Sequence, residues 1–581
     1  MTLFPLRKRF PNQLATRDDW LRGGLLALTS LWLLASIILP LWPLLLRSFQ
    51  DRTGNPAGLA NYLEYFQTPT LVASFFHSLT IALGTTAIAL LLGFIYAYAL
   101  TRTNMAAKGF FRMMGLLTLY IPPLAHAIGL IYLFGNQGLV TRGLFGLLPG
   151  WDIDLYGPHG IIIGEVLYCF PQVVLVMLTA LSLTDARLYE AAEVLGDSPL
   201  RTFFTVTIPS VKYGLISAFF ICFILAFTDF GVPKVVGGDY NVLATDIYKQ
   251  VVGQQNFAMG ATISVLLLIP SVLAFTLDRW VQRRQTALVS AKSVPFQPKP
   301  NPWLDWGMFA FCSAIVALAV IVFATVILAS LVQLWPYNFS LGFHNYDFSR
   351  VGGGGYGAFG NSLRMSGYTA VFGTITVIIT AYLIEKNQRW QWLRSLNYFL
   401  STLPLALPGL VLGIAYIFFF NNPYWQLTPN LTIHNPFHGL YGTMALLVIV
   451  HIIHFYTVGF LTASTALKQI DGEFEAVSAS MGVPFYKTFW RVTVPLMLPA
   501  ILDISVYYFV NTMVTVSALI FLYPPNLPMA AVAIINLDDA GAIAAAAAMS
   551  TLVVLTSLGV RGLYGLLTQG LKKRSQAWQK T

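Results

Sequence analysis

Charged residues are scarce in this sequence of 581 residues. They make up 10% of the chain, against about 25% in soluble globular proteins, while 56% of the residues are hydrophobic and the mean hydropathy is +0.67. This composition excludes a soluble globular protein, and it also excludes a disordered one, which needs low hydrophobicity and a high net charge. The three cysteines all lie in apolar runs, so no disulfide framework is expected.

Long apolar segments account for most of the chain. A helix that spans a bilayer needs roughly 20 mostly apolar residues, because its backbone groups must hydrogen-bond to one another in lipid. Twelve segments meet this requirement and predict an all-α, polytopic membrane protein surrounded by the lipid bilayer. They lie near residues 24–46, 72–101, 111–134, 160–183, 209–230, 260–281, 305–333, 361–384, 396–420, 440–465, 497–522 and 543–561.

Lys and Arg residues are concentrated in alternate loops between these segments. If the N-terminus is cytoplasmic, 27 of the 34 basic residues fall on the cytoplasmic side of the membrane. Cytoplasmic loops carry such an excess, so both termini are predicted to be cytoplasmic. This topology explains the net charge of +10 without nucleic acid as a partner. The remaining seven basic residues lie on the opposite side: Arg47, Arg52, Arg142, Lys234, Lys249, Arg350 and Arg364.

The chain consists of two related halves. A polar, basic and proline-rich stretch at 282–304 predicts a cytoplasmic linker between residues 1–281 and residues 305–581. Residues 190–209 align with residues 476–495 at a shift of 286 positions. Six predicted spans separate the two copies, so both loops leave the membrane on the same side, and two parallel six-helix repeats are expected around an axis along the membrane normal. The identical pairs are Gly196/Gly482, Thr202/Thr488, Phe203/Phe489, Val206/Val492, Thr207/Thr493 and Pro209/Pro495.

The first of these aligned loops carries a sequence motif. Glu190, Ala191 and Ala192 are followed by Gly196 and then by Pro209. This pattern resembles the EAA loop of the permease subunits of ABC importers. Small alanine side chains would let a partner approach a short helix closely. A carboxylate near the start of the helix is favoured by the helix dipole, and a glycine lets the chain leave the helix.

The second copy departs from the motif. It consists of Glu475, Ala476, Gly482 and Pro495, with its glutamate seven rather than six residues before the glycine, and its alanine pair is lost. Such degenerate copies resemble those of fused members of the family. The departure leaves open how the second loop makes its charged contacts.

The resemblance implies that ATP is hydrolysed outside this chain. Two separate ABC ATPase subunits are expected at the cytoplasmic loops, one under each, together with a periplasmic solute-binding protein, in a bacterial inner membrane. The chain has no phosphate-binding motif: the stretch 482–488 lacks the second glycine before Lys487. We therefore expect a transport subunit and not an enzyme, with no cofactor and no resident metal.

Polar residues within the spans are candidates for the translocation pathway. Glu165 and Asp503 are acids in the middle of predicted spans, where an ionised carboxylate is costly unless it faces a cavity or a partner. At the shift of 286 positions Glu165 corresponds to His451, and His454 lies one helical turn beyond. Asn511 is a further polar candidate. An acid and an imidazole at equivalent positions would pair across the axis or flank a solute, whereas a structural hydrogen bond between helices is the alternative interpretation.

The loops on the other side of the membrane bear on the solute. The layout of the full chain resembles the branch of fused permeases for ferric ion and phosphonates, and five loop segments resemble those of 2-aminoethylphosphonate importer permeases. We therefore predict 2-aminoethylphosphonate as the solute, with ferric ion, another small anion or a polyamine as the alternative. An ion-coupled secondary transporter also commonly has twelve spans in two halves, but the two EAA-like loops argue against it. A membrane enzyme is a third interpretation, but the sequence has no cluster of catalytic residues that would indicate one. The five segments are 229–234, 241–250, 253–257, 521–524 and 537–541.

Overall fold

Helices long and apolar enough to cross a membrane dominate the structure, a computed structural model. Nine such helices occur in the part of the chain that the structure describes, which comprises residues 17–285, 294, 296–387, 389–428 and 431–577. They are Arg17–Ser48, Pro69–Arg102, Pro158–Ser182, Pro199–Thr228, Phe257–Gln282, Pro302–Leu331, Gly355–Glu385, Phe485–Val514 and Ile543–Thr568. With three bent helix pairs counted as one span each, the number reaches the predicted twelve.

The third predicted span of the first half, 111–134, is broken and not straight. Its parts, Lys108–Tyr120 and Pro123–Phe134, meet at an angle of 100°. Pro122 lies at the break with φ −57° and ψ 143°, outside the helical region. Proline has no N–H to continue a helix, and it disfavours helical backbone in the residue before it. The two adjacent prolines therefore end one helix and begin the next.

The second half contains the other two bent pairs. Gln391–Ala406 and Gly409–Phe420 meet at 112°, with Pro408 at the break in the same extended conformation (φ −58°, ψ 142°). Met444–His454 and Tyr456–Gln469 meet at 57°. The three predicted apolar segments are therefore present, each as two helices that meet at an angle.

The described residues form 25 α-helices, numbered here in chain order. The first thirteen are α1 (Arg17–Leu33), α2 (Leu39–Arg47), α3 (Ala60–Gln67), α4 (Pro69–Arg102), α5 (Lys108–Leu117), α6 (Pro123–Phe134), α7 (Gly143–Gly146), α8 (Pro158–Ser182), α9 (Ala186–Val194), α10 (Pro199–Thr202), α11 (Ile208–Thr228), α12 (Gly231–Val236) and α13 (Leu243–Tyr248). The others are α14 (Phe257–Gln285), α15 (Pro302–Leu331), α16 (Gly355–Glu385), α17 (Gln391–Thr402), α18 (Gly409–Phe420), α19 (Met444–His454), α20 (Tyr456–Gln469), α21 (Glu473–Ser480), α22 (Phe485–Thr488), α23 (Val494–Val514), α24 (Ala530–Asp539) and α25 (Ile543–Ala577).

Shorter elements connect these helices. Among the described residues, β1 (Val332–Leu334) pairs antiparallel with β2 (Asn338–Leu341), and β3 (Tyr424–Thr428) pairs antiparallel with β4 (Leu431–His434). The π-helical segments are Leu34–Ile38, Phe203–Thr207, Lys249–Gly253 and Phe489–Thr493. The 3-10 segments are Thr118–Tyr120, His344–Tyr346, Phe348–Arg350, Leu403–Ala406 and His438–Leu440.

The chain forms two compact units that cross the predicted boundary between the halves. The N-unit consists of Arg47–Tyr356 and Ala530–Val554, and the C-unit consists of Met1–Leu46, Gly357–Met529 and Leu555–Thr581. The first predicted span of each half thus belongs to the unit formed mainly by the other half. The division into repeats at 1–281 and 305–581 remains a prediction about sequence relationship. Within the predicted linker 282–304, residues 286–293 and 295 lie outside the described residues, as do 1–16 and 578–581 at the termini.

Small residues allow close helix packing inside each unit. In the N-unit a Cβ atom on Gly93 of α4 would lie 2.6 Å from Cγ1 of Val173 on α8, and one on Gly214 of α11 would lie 2.4 Å from Cβ of Ala180. Such close packing at small residues is typical of helices that associate in lipid, where no hydrophobic effect favours helix contacts over lipid contacts. The C-unit has a similar arrangement, in which Gly373 and Gly459 both lie against the ring of buried Tyr508.

Candidate functional site

The two loops that the sequence aligns have the same local structure. We call residues 185–209 the first loop, in the N-unit, and residues 471–495 the second loop, in the C-unit. Each begins with an aspartate that stabilises the start of a short helix. Asp185 accepts a hydrogen bond from the backbone N–H of Arg187 at 3.1 Å, and Asp471 accepts one from Glu473 at 3.1 Å. Asp185 is the N-cap of α9, whereas Asp471 directly precedes Gly472, the N-cap of α21. Both bonds satisfy an N–H group that has no partner within its helix.

A glycine ends the short helix of the first loop, as the motif predicts. Gly196 has φ +78°, its N–H bonds to the carbonyl of Glu193 at 2.9 Å, and the N–H of Asp197 bonds to the carbonyl of Ala192 at 3.0 Å. These two bonds together form a Schellman motif. A residue with a Cβ atom is strained in this conformation, whereas glycine is not.

The second loop ends its helix in the same way. Gly482 has φ +67°, its N–H bonds to the carbonyl of Ala479 at 3.1 Å, and the N–H of Val483 bonds to that of Ser478 at 2.9 Å. Both loops then pass through a four-residue helix and a π-helical segment into the following span, in which Pro209 and Pro495 occupy the second position. From the glycine onward every element is displaced by 286 positions, as in the sequence alignment: α10 and α22, Phe203–Thr207 and Phe489–Thr493, and α11 and α23.

The turns of both loops expose large apolar side chains. Leu195 is 80% exposed and Met481 is 73% exposed, and Val194 and Val477 are exposed beside them. In the first loop Glu190 and Ala191 are also exposed, whereas Ala192 is buried; in the second loop Ala476 is exposed. Contiguous apolar side chains exposed outside the spans are typical of a surface that binds a partner.

Glu475 does not occupy the position of Glu190. Its carboxylate lies 3.3 Å from Nζ of Lys386, and the two side chains are 16% and 10% exposed. At the shift of 286 positions Glu475 corresponds to Tyr189, and Ala476 corresponds to Glu190. One residue turns the side chain by about 100° around a helix. The extra residue between Glu475 and the glycine therefore directs this carboxylate into the C-unit and away from the exposed surface of the second loop.

The linker braces the first loop. The N–H of Ala186 bonds to the carbonyl of Val294 at 2.9 Å, the ring of Phe296 packs against Tyr189 with centroids 4.6 Å apart, and Nζ of Lys299 lies 2.6 Å from Glu193. The last pair is exposed and contributes little stability by itself. The backbone bond and the ring contact show that the described part of the linker packs against α9.

The N-terminal helix α1 braces the second loop. Asp18 accepts a hydrogen bond from the N–H of Phe485 at 2.9 Å, and the guanidinium of Arg22 lies 4.9 Å from the centre of the Phe485 ring. Asp19 lies 3.4 Å from Arg389 and accepts a bond on its carbonyl from the indole of Trp390. Each loop is therefore supported by the polar segment that precedes a first span.

The sequence analysis did not identify two cationic side chains, Arg102 and Lys386, that contact residues in or next to the loops. Arg102 at the end of α4 donates to the carbonyl of Leu181 at 2.7 Å and contacts Tyr189, and Lys386 after α16 donates to the carbonyl of Ile470 at 2.9 Å. A signal was present in the sequence, because Arg102 and Lys386 are separated by 284 positions, the shift that also relates Ser78 to Ser362.

The candidate pathway residues have different environments. Glu165 is fully buried in α8, and its carboxyl interacts with that of Asp229, although neither of its oxygens has a partner of good hydrogen-bond geometry among the described residues. The neighbouring acid is Asp229, which accepts a bond from the N–H of Val232 at 2.9 Å. Glu165 lies in the N-unit and His451 lies in the C-unit, so the pairing of the two remains a prediction.

The histidines and the remaining candidates lie in the C-unit. His451 shares a hydrogen bond through Nδ1 with the carbonyl of Leu447 at 2.7 Å, while its Nε2 and Nδ1 of His454 have no partner among the described residues. Asp503 accepts a hydrogen bond from the hydroxyl of Tyr564 and lies 3.9 Å from Arg561, both on α25. Asn511 bonds to the carbonyl of Tyr507 within its own helix. These contacts fit structural roles for Asp503 and Asn511, and a pathway role for either remains a prediction.

Two of the loops singled out for the solute meet in the N-unit. Nζ of Lys234, in α12, lies 2.8 Å from Oδ1 of Asp539, at the end of α24. Burial, and to a lesser degree the charge of Asp539, raises the pKa of the adjacent Asp538 to about 6, although Lys234 opposes this shift. No group of three or more His, Cys, Asp or Glu side chains that could hold a metal ion occurs in the residues that the structure describes.

One protein family matches the chain twice. The family model described as "Binding-protein-dependent transport system inner membrane component" matches residues 89–287 and again residues 373–573, which together make up more than half of the chain. Each match contains one of the two loops. The tandem match also agrees with the internal repeat in the sequence.

Named relatives are permease proteins of transport systems. The chain is 27% identical over 476 residues to the ferric transport system permease protein FbpB of Actinobacillus pleuropneumoniae, which covers 80% of this chain and 67% of the relative. It is 25% identical over 510 residues to the Fe(3+)-transport system permease protein FbpB 2 of Haemophilus influenzae, which covers 86% of this chain and 91% of the relative. A protein of Salmonella typhi named as a 2-aminoethylphosphonate transport system permease, PhnU, is 26% identical over 272 residues, 46% of this chain and 91% of the relative.

Among solved structures, a bacterial ABC transporter involved in the import of the acidic polysaccharide alginate matches 47% of this chain and 98% of its own chain, with 16% identity and a TM-score of 0.37. That similarity is too low to support an inference about function. The family match, which covers more than half of the chain, establishes the family without the solved structures. The chain belongs to the binding-protein-dependent transport system inner membrane components, as a multi-pass permease subunit of an ABC importer in which two copies of the family's domain are fused in one polypeptide.

Proposed function

We propose that the first and second loops are the docking sites of two ABC ATPase subunits, and that a periplasmic binding protein delivers the solute to the opposite face. The single observation that supports this proposal best is the duplicated geometry of the loops. Each has a short helix with an aspartate bonded at its start, a Schellman turn at a glycine and exposed apolar side chains at that turn. Structural loops with no partner would gain nothing from keeping apolar side chains in water.

The loops have the properties that force transmission requires. ATP binding would draw the two ATPases together, and the loops would pass this movement to the spans that follow them. Transport then follows if the outward-facing and inward-facing states differ in their affinity for ATP, for the solute and for the binding protein. Both termini are placed in the cytoplasm in this proposal, on the same side as the loops.

We further propose ferric ion as the solute, which the sequence patterns alone made the alternative. The named ferric relatives align over 80% and 86% of the chain, whereas the 2-aminoethylphosphonate relative aligns over 46%. The charge of the outer loops favours a cation, since ten acids accompany the seven basic residues there. The ten are Asp51, Glu64, Asp152, Asp154, Asp229, Asp239, Asp246, Asp347, Asp538 and Asp539.

2-Aminoethylphosphonate is the second candidate. The observation in its favour is the resemblance of the loops at 229–234 and 537–541, which the ion pair between Lys234 and Asp539 joins. These loops are also where a binding protein would dock, so they bear on the receptor as well as on the solute.

Uptake into proteoliposomes tests both parts of the proposal. The chain is purified with its ATPase and its binding protein, and uptake of radiolabelled Fe(III) and of radiolabelled 2-aminoethylphosphonate is measured with ATP enclosed. We expect ATP-dependent Fe(III) uptake that requires the ATPase and the binding protein. Uptake that persists without the ATPase would contradict the docking role. ATP-dependent uptake of 2-aminoethylphosphonate alone would contradict the ferric assignment and leave the docking role intact.

A further inference from the structure

In the N-unit the second span contacts the first loop at two points that lie one helical turn apart. The ring of Tyr98 on α4 lies 5.9 Å from the ring of Phe203, at an interplanar angle of 73°. Four residues later, the guanidinium carbon of Arg102 lies 5.3 Å from the centre of the Tyr189 ring. Residues at positions i and i+4 project from the same face of a helix, so one face of α4 contacts both ends of the loop.

Arg102 joins four elements of the N-unit. Its side chain is buried, with 7% of the residue exposed. One guanidinium nitrogen donates to the carbonyl of Leu181 at 2.7 Å and to the hydroxyl of Thr184, which places positive charge at the C-terminal end of α8, where a helix dipole favours it. The guanidinium also contacts two rings that pack against each other, those of Tyr189 in α9 and Phe296 in the linker, with Phe296 at 4.6 Å.

The C-unit has contacts of the same kind. The ring of Tyr382 on α16 lies 4.7 Å from that of Phe489, and both side chains are buried. Four residues after Tyr382, Nζ of Lys386 donates to the carbonyl of Ile470 at 2.9 Å and lies 3.3 Å from the carboxylate of Glu475. The second loop is thus also fixed to its second span at two points.

In both units a cation of the second span contacts the loop, but the partner of that cation differs between the units. A guanidinium stacked on aromatic rings in one unit is replaced by an ammonium paired with a carboxylate in the other, and each is a favourable partner for a buried cation. The corresponding pairs are Tyr98/Tyr382 and Arg102/Lys386, separated by 284 positions, and Phe203/Phe489 and Tyr189/Glu475, separated by 286.

We propose that Tyr98 with Arg102, and Tyr382 with Lys386, are span anchors, by which we mean positioning residues that transmit movement of each loop to the second span of its own unit. This inference rests on the proposed function of the loops. Arg102 and Tyr382 are buried, whereas Tyr98 and Lys386 are partly buried. Because each pair contacts both ends of a loop, the loop cannot shift relative to its span without breaking these contacts. The extra residue before Gly482 then has a role, since it places Glu475 against the anchor Lys386.

Removal of one anchor tests the inference in the complete transporter. In proteoliposomes that contain the ATPase and the binding protein, Arg102→Ala is expected to lower the solute transported per ATP hydrolysed by about tenfold, within the range of allosteric couplings. The ATPase should still co-purify with the variant. Arg112→Ala, which removes an exposed cation from α5 of the same unit, is the matched control and should leave the ratio unchanged.

A double variant tests the inference if the Arg102→Ala complex fails to assemble. The double variant Arg102→Lys with Tyr189→Glu places the lysine–glutamate pair of the C-unit in the N-unit. We expect it to restore more of the transport per ATP than Arg102→Lys alone. A role confined to folding would affect assembly and thermal stability but not this ratio.

The outcomes separate this inference from the proposed function. If the unaltered complex shows no ATP-dependent uptake, the proposed function fails and the span anchors fail with it. If the unaltered complex transports and an assembled Arg102→Ala complex keeps the same ratio, the span anchors alone are refuted. An assembled double variant that hydrolyses ATP and does no better than Arg102→Lys refutes them as well.

Discussion

Replacement of Gly196 by alanine tests the first loop with little disturbance of its surroundings. A Cβ atom at this position would meet no atom within 4 Å, so the substitution causes no clash. Its cost comes from the backbone, because φ is +78° and a residue with a Cβ atom is strained there by about 1 kcal/mol. A penalty of this size multiplies the population of loops that have left the Schellman turn by about fivefold.

The chain offers a matched control for this cost. Gly541 ends α24 with φ +74°, and a Cβ atom there would also meet no atom within 4 Å. Its N–H bonds to the carbonyl of Asp538 and the next N–H bonds to that of Leu537, which is the same motif. Gly541→Ala therefore carries the same backbone cost outside the two loops. Thermal unfolding should show similar losses of stability for Gly196→Ala and Gly541→Ala.

Transport should separate the first loop from a strained glycine elsewhere. We expect Gly196→Ala to lower the solute transported per ATP several-fold, with a larger effect when Gly482→Ala is added. Gly352→Ala should keep the unaltered ratio, because Gly352 has φ +75° and space for a Cβ atom but lies outside the loops assigned to the ATPase, the solute and the binding protein. Gly196→Asn should lie between glycine and alanine, since asparagine tolerates this backbone conformation better than most residues do. An unaltered ratio in the Gly196→Ala/Gly482→Ala protein, or an equal loss in Gly352→Ala, would refute the reasoning.

Three further predictions concern the spans and the outer loops. Glu165→Gln is expected to change uptake kinetics while the complex assembles normally, because neither oxygen of this buried carboxyl has a partner of good hydrogen-bond geometry among the described residues; loss of the assembled complex would indicate a structural role. Asp538→Asn is expected to raise stability by about 1 kcal/mol at pH 7.5, after allowance for its partial exposure, because burial and the charge of Asp539 raise the pKa of Asp538 to about 6. The ionised form is unfavourable in the folded protein above that pH, so the difference in unfolding temperature between variant and parent should shrink as the pH falls below 6, and a constant difference would contradict the assignment. Gly93→Leu should destabilise the N-unit by about 1–3 kcal/mol, since its Cβ atom would lie 2.6 Å from Val173, and unchanged thermal unfolding would contradict the packing.

The apolar segments predict which residues form spans, but not the direction of the chain within them. Hydropathy counts side chains, so 111–134 and 396–420 met the length requirement although Pro122 and Pro408 break both helices by 100° and more. The prolines were visible in the sequence, and their effect on the backbone is local and calculable. The short hairpin β1–β2 gives no comparable signal.

The loops were predictable to the extent that their structure is local. The cap at Asp185 and the turn at Gly196 depend on neighbouring residues only, and both are present. The inward direction of Glu475 follows from its distance to Gly482, one residue longer than in the first loop. The packing of α1 in the C-unit, and of the linker against α9, depends on contacts between residues far apart in the chain, which a single sequence does not encode as a pattern.

Site-specific photo-crosslinking tests the central claim most directly. A photoreactive phenylalanine analogue is introduced in place of Leu195 in the first loop or Met481 in the second, both strongly exposed, and in place of Leu147, which is 82% exposed on the predicted opposite face. After irradiation of the assembled transporter, we expect covalent adducts with the ATPase from both loop positions and none from Leu147. Absence of ATPase adducts at both loops, or equal adducts from Leu147, would contradict the claim that these two loops receive the work of ATP hydrolysis.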